Sequence, residues 1–97
     1  MHSYRLSKKA FSDLIKIGKY TTKLWGKAQR DAYLKQISDC FTKLSENPNL
    51  GLKCDYVRKG YKKFPQGSHM IYYRLNSEKV IEIIRILHKS MDVNSKF

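Results

Sequence analysis

The side chains best suited to chemistry in this sequence are three histidines, His2, His69 and His88, and two arginines, Arg74 and Arg85. Arg85 and His88 close an apolar run, and an antiparallel return would bring Arg74 near them. Arginine can hold a phosphate and histidine can move a proton, which are two of the roles a metal-free ribonuclease needs. Cleavage also needs a second group to protonate the leaving oxygen, a step worth roughly 10²–10⁴-fold in rate. No tyrosine follows Tyr73 to supply it, and Lys89 and Lys96 lack an apolar setting that would lower their pKa. Spacing alone therefore favours the plainer reading, charged residues at a strand end used for binding, and no catalytic residue is assigned.

Other chemistry is sparse. The carboxylates do not pair at an acid–base spacing, and no Gly-rich phosphate loop, GxSxG or HExxH occurs. The histidines sit in widely separated segments, and Cys40 and Cys54 form no CxxC, so neither a metal nor a cofactor is expected. The two thiols read as small buried hydrophobes of a reducing cytoplasm. Tyr56, Tyr61, Phe64, Tyr72 and Tyr73 interleave with Arg58, Lys59, Lys62, Lys63 and Arg74. Such interleaving can stack nucleic-acid bases, but half-buried strands also favour aromatics.

These residues must be positioned by a few short elements. His2 to Leu6 alternates weakly and predicts a strand, after which Ser7 can cap a helix. Phe11, Leu14, Ile15 and Gly18 recur at helical spacing, as do Ala10, Ile17, Thr21 and Leu24, and Trp25-Gly26 ends that helix. A second helix is predicted from about Lys27 to Glu46, stopped by Asn47-Pro48-Asn49. So tight a joint predicts an antiparallel hairpin, with Leu14, Ile17, Trp25, Ile37, Phe41 and Leu44 in its core. The remainder reads as an irregular connection over Cys54–Gly60 with room for a short strand. Strands follow at Tyr61–Phe64, His69–Leu75 and Val80–Leu87, with turns at Pro65–Gly67 and Asn76–Lys79. The order β-α-α-β-β-β predicts an α+β fold, one domain over 1–97, a helical hairpin packed on a mainly antiparallel sheet, with a polar, loose tail from residue 88.

If the last turn pairs Leu75 with Val80, then Met70, Tyr72, Arg74, Ile81, Ile83 and Arg85 share one sheet face. Ile71, Tyr73, Leu75, Val80, Glu82, Ile84 and Ile86 share the other. The second set carries more aliphatic bulk and is expected against the helices, leaving the first as a concave binding face. A one-residue slip regroups them all.

Charge indicates the kind of partner. Lys plus Arg number 20 against 8 Asp plus Glu, a formal net charge of +12. A field of this size attracts nucleic acid, an anionic surface or an acidic protein. The sequence MHSYRLSKKA lacks an apolar core for a secretory signal, and the apolar run Val80–Leu87 is too short to span a membrane. A cytoplasmic location and no membrane role are expected.

Several segments resemble ParE-type toxins of the RelE/ParE toxin–antitoxin superfamily. They are YRLSKKAFSDLIKIGKYT (Tyr4–Thr21), LWGKAQRDAYLKQI (Leu24–Ile37), LSENPNLG (Leu44–Gly51), RKGYKKFPQGSHMIYYRL (Arg58–Leu75) and IIRILHKSMD (Ile83–Asp92). Their order and spacing carry the likeness over nearly the whole chain. The resemblance implies a RelE/ParE-like fold, a non-catalytic poison of DNA gyrase or its DNA complex, and an acidic ParD-like antitoxin whose disordered C-terminal segment folds onto the toxin in a hetero-oligomer. RelE-type relatives are ribosome-dependent mRNA endonucleases, which keeps that activity as the alternative, beside an inactive relative that only binds an antitoxin. Ser90 stands where the family usually carries arginine, so no charge acts there. The faces and the resemblance together nominate Arg58, Lys62, Met70, Tyr72, Arg74, Ile81, Ile83, Arg85, His88 and Met91 as antitoxin- or target-binding residues.

Overall fold

Ser7 starts the first helix as its residue type suggests. Its hydroxyl accepts from the Ala10 N–H at 3.0 Å and donates to the Ile84 carbonyl at 2.7 Å, tying the helix start to the last strand. In the computed structural model, which describes residues 3–97, strand β1 (Tyr4–Leu6) leads into helix α1 (Lys8–Trp25), and helix α2 (Lys27–Glu46) follows at once. The position of His2 falls outside the described residues. Gly26 makes the corner with φ 88°, a backbone that a side chain would strain, while its N–H still bonds to the Thr22 carbonyl at 2.9 Å. The antiparallel hairpin follows.

After a 3₁₀ turn at Pro48–Leu50 come strands β2 (Leu52–Lys53), β3 (Lys62–Gln66), β4 (His69–Leu75) and β5 (Ile81–His88). The sheet order is β1-β5-β4-β3-β2, antiparallel throughout except for the parallel pair β1–β5. This is the α+β architecture expected from the pattern, with one strand more. Strand β2 lies just before the expected irregular connection, and β3 runs through Pro65, so the turn is narrower than predicted. The α2–β2 link is pinned by the Tyr73 hydroxyl, which accepts from the Gly51 N–H at 2.8 Å and donates to the Pro48 carbonyl at 2.7 Å.

The register of β4 and β5 corrects the expected faces. Leu75 pairs with Ile81, not Val80, because the turn takes five residues: Asn76 Oδ1 accepts from the Glu78 and Val80 N–H groups, and Lys79 adopts φ 61°. Ile81 and Ile83, expected on a binding face, therefore turn toward the helices and are 1% and 0% exposed. A bulge at Ile84 then lets Tyr72 face Arg85 and Ile71 face Ile86. Ile71, Tyr73 and Ile86 remain on the helix side as expected, packed with Ala10, Ile17, Ile37, Phe41 and Leu44.

Met70 and Tyr72 do lie on the opposite face, but that face is not open. Cys54, Tyr72 and Leu87 form a second small core, covered by Val57, Tyr61 and two residues of the tail, Val93 and Phe97. The Phe97 ring meets Tyr61 and Tyr72 edge-on at centroid distances of 5.9 and 5.1 Å. Both cysteines are buried and unpaired with each other, and burial pushes both thiols up. Trp25, expected inside the hairpin, is 71% exposed. It sits at the last position of α1, where the chain has already turned away, and packing of α1 on α2 is carried instead by Leu14, Ile17, Leu34 and Ile37.

Candidate functional site

The edge of β5 decides where the arginines point. Beyond Leu6, β1 no longer covers β5, and the side chain of Asp13 on α1 takes over. Asp13 Oδ2 accepts the Ile86 backbone N–H at 3.0 Å and Arg85 Nε at 2.8 Å, and Oδ1 accepts Arg85 Nη2 at 2.9 Å. Arg85 Nη1 donates to the Lys96 carbonyl at 2.8 Å, which fastens the tail. The two side chains are 14% and 7% exposed, and the carboxylate raises the Arg85 pKa above its already high ordinary value. Each guanidinium nitrogen of Arg85 thus makes a hydrogen bond, engaging three of its five N–H donors. The arginine nominated for partner binding is a structural clamp.

Around that clamp opens a basic cleft of about 790 Å³. It brings together Arg58, Arg74 and Arg85 of the expected set and adds Lys9, Lys59 and Lys96, with Tyr61 and Phe97 as aromatic walls. Arg74 is bonded at 2.7 Å to Glu82 across the hairpin, in solvent, where the pair is weak and easily exchanged. Lys62 is not part of this cleft: its ammonium donates to Asn49 Oδ1 at 2.8 Å.

His88 and Met91 belong to a different place, the far end of the sheet. His69 and His88 are directly opposed across β4 and β5, with ring centroids 5.4 Å apart. The Tyr33 hydroxyl lies 2.7 Å from His69 Nδ1 and accepts from the Ser68 N–H at 3.1 Å. Burial, helped by the neighbouring His88, lowers the His69 pKa to about 4. Ser90 donates its N–H to His88 Nδ1 at 3.1 Å, with its hydroxyl 2.7 Å from the same nitrogen. Two adjoining hollows, of about 480 and 320 Å³, share Tyr20, His69 and His88. Met91 and Lys16 line the first, and Leu24, Trp25 and Tyr33 the second.

The expected cluster of Arg85 and His88 is therefore divided between two cavities. Sequence reasoning missed Asp13, because a lone carboxylate on a helix carries no signal of its partner. It also missed Tyr33, Tyr20 and the pairing of His69 with His88. Once the β4–β5 register is known that pairing is forced, since the two histidines occupy matched positions. Among the described residues no group of three or more His, Cys, Asp or Glu is placed to hold a metal ion.

Comparison with known proteins agrees with the fold. The family model for the ParE toxin of the type II toxin–antitoxin system parDE matches residues 4–93. Toxin ParE1 of Mycobacterium tuberculosis is 37% identical over 91 residues, covering 94% of this chain and 93% of that protein. Toxin ParE1 of Caulobacter vibrioides is 35% identical over 95 residues, covering 98% and 97%. Among solved structures, the chromosomal ParDE system from P. aeruginosa superposes with a TM-score of 0.76 at 22% identity, over 91% of this chain and 96% of that one. The toxin–antitoxin complex RelBE2 from Mycobacterium tuberculosis superposes at 0.64, also at 22% identity, over 91% and 98%.

Proposed function

This chain belongs to the ParE toxin family of type II toxin–antitoxin systems, and from that premise we propose that it inhibits DNA gyrase without catalysing a reaction and is neutralised by a ParD-like antitoxin in the cytoplasm. The observation that carries the non-catalytic half is the Asp13–Arg85 clamp. A ribonuclease of this sheet would need an arginine free to meet a phosphate beside a histidine free to move a proton. Here Arg85 is held by Asp13 and the Lys96 carbonyl through three of its five N–H donors, and His88 lines a separate cavity. A poison has a different requirement, shape and charge that grip a protein–DNA complex, and the basic cleft supplies both.

The same charge suits the antitoxin. An acidic segment meeting Arg58, Lys59 and Arg74 would be steered by the +12 field, and its apolar residues would find the exposed side chains of α1, Phe11, Ile15 and Leu24. No helix among the described residues is long and apolar enough to cross a membrane.

The test is to incubate the purified protein with gyrase and supercoiled plasmid, and separately with translating ribosomes. Trapped double-strand breaks that disappear on adding antitoxin are expected. Codon-specific mRNA cuts abolished by His88→Ala, with an intact plasmid, would replace this reading with the ribosome-dependent endonuclease.

A further inference from the structure

The hollow at the tip of the hairpin has a lining unlike that of the basic cleft. Tyr20, Leu24 and Trp25 from the last two turns of α1 line one part of it, and Tyr33, His69 and His88 form its polar floor. Tyr20 is 63% and Trp25 71% exposed, the two most exposed of the large apolar side chains that α1 leaves in solvent. No carboxylate lines this hollow or the one adjoining it. Lys16 and Lys23 stand one turn before and after Tyr20 on the same helical side, and both are exposed. Exposed rings flanked by cations, in a chain of net charge +12, match what a single nucleic-acid strand requires: faces on which bases stack and ammonium groups for its phosphates.

The polar groups at the floor fit the edge of a base. Because the Ser90 N–H donates to Nδ1 of His88, the neutral ring carries its proton on Nε2. At His69 the order is reversed: the Tyr33 hydroxyl donates to the Gln66 carbonyl at 3.1 Å and accepts from Nδ1–H of His69, leaving Nε2 of that neutral ring an acceptor. The Nε2–H of His88 is a donor suited to the keto oxygens of thymine, uracil or guanine. The hollow, about 320 Å³, has volume enough for one base.

We propose that this slot binds an unpaired base of a single-stranded nucleic acid, stacked on Trp25 and Tyr20 and met at its edge by His88. The site is separate from the basic cleft and does not depend on gyrase.

Trp25 is the chain's one tryptophan, so its fluorescence reports the slot directly. The experiment titrates the full chain with oligothymidylate and with a duplex of equal length, at near-physiological salt to suppress generic charge attraction. Saturable quenching by the single strand and not by the duplex is expected. A labelled oligothymidylate should then bind Tyr20→Ala and Trp25→Ala about ten-fold more weakly, as lost stacking implies. Trp25→Phe should keep most of the affinity, and Lys59→Ala in the basic cleft should behave like the parent in the strand-over-duplex preference. Both aromatics are exposed, so these variants fold. Equal affinity of parent, Tyr20→Ala and Trp25→Ala for the single strand would overturn the proposal. So would quenching by an acidic antitoxin peptide with none from the oligonucleotide, which would make this face a protein interface.

Discussion

At the scale of single residues, Asp13 does the most. It replaces the missing stretch of β1 by accepting the Ile86 N–H, and it neutralises Arg85 where water is scarce. Removing one member of such a pair leaves the other charge buried and unmatched, at a cost of about 3–5 kcal/mol. Asp13→Ala is therefore expected to lower stability by about that amount in urea denaturation. A loss below about 1 kcal/mol would mean that Arg85 swings freely into the cleft. His69 makes a second prediction at this scale. Its folded pKa is lowered to about 4 from an ordinary 6.5, so between those values the unfolded chain binds the extra proton. Stability then falls as pH drops from about 6.5 to about 4, and is unaffected by this group above that window. His69→Gln, which can still meet Tyr33, should flatten that part of the stability–pH curve. An unchanged curve would assign the acid loss to other groups.

At the scale of elements, the bulge in β5 and the tail act together. The bulge lets Ile81, Ile83 and Ile86 all face the helices while Arg85 and Leu87 keep to the other side. The outer face thus gained is apolar, and Val93 and Phe97 cover it, held by the Arg85–Lys96 hydrogen bond. Truncation before Val93 is expected to cost about 1–2 kcal/mol from uncovering the Tyr72 and Leu87 side chains, and to raise binding of a dye that reports exposed apolar surface. A truncated chain that melts with the parent and binds no more dye would show that the tail contributes no packing. The sequence predicts a polar, loose tail, since composition offers no reason for more: its contact with this face is made by two apolar residues, Val93 and Phe97.

At the scale of the whole molecule, the net charge of +12 is a property of the field and not of any one pair. Most of the charged side chains are exposed, so their pairs with Asp or Glu contribute little to folding. The field acts instead on encounter. The association rate with an acidic antitoxin should fall steeply as ionic strength rises, while the dissociation rate, set by apolar contacts, changes little. Stopped-flow mixing over a salt series measures both. A salt-independent association rate would remove charge from the account of partner choice.

The amino-acid order by itself determined the local elements and the kind of protein. Ser7, Gly26 and Asn47-Pro48 bound the two helices because caps and breakers act within a few residues, and the periodicity of Leu14, Ile17, Ile37, Phe41 and Leu44 marked their buried faces. Charge and the ordered motifs were enough to point to the toxin family that the comparisons then showed. What the tertiary structure alone decided was which residues meet across distance. A five-residue turn with Lys79 at positive φ moved the β4–β5 register by one position, and since side chains alternate along a strand, that single step carried Ile81 and Ile83 from a supposed binding face into the core. The same register set His69 against His88, and the docking of α1 on the edge of β5 set Asp13 against Arg85, so an arginine nominated for partner binding became a structural clamp. Neither pairing has a local signature, because each depends on the rigid-body placement of elements far apart in the chain, which is fixed by the packing of the whole core.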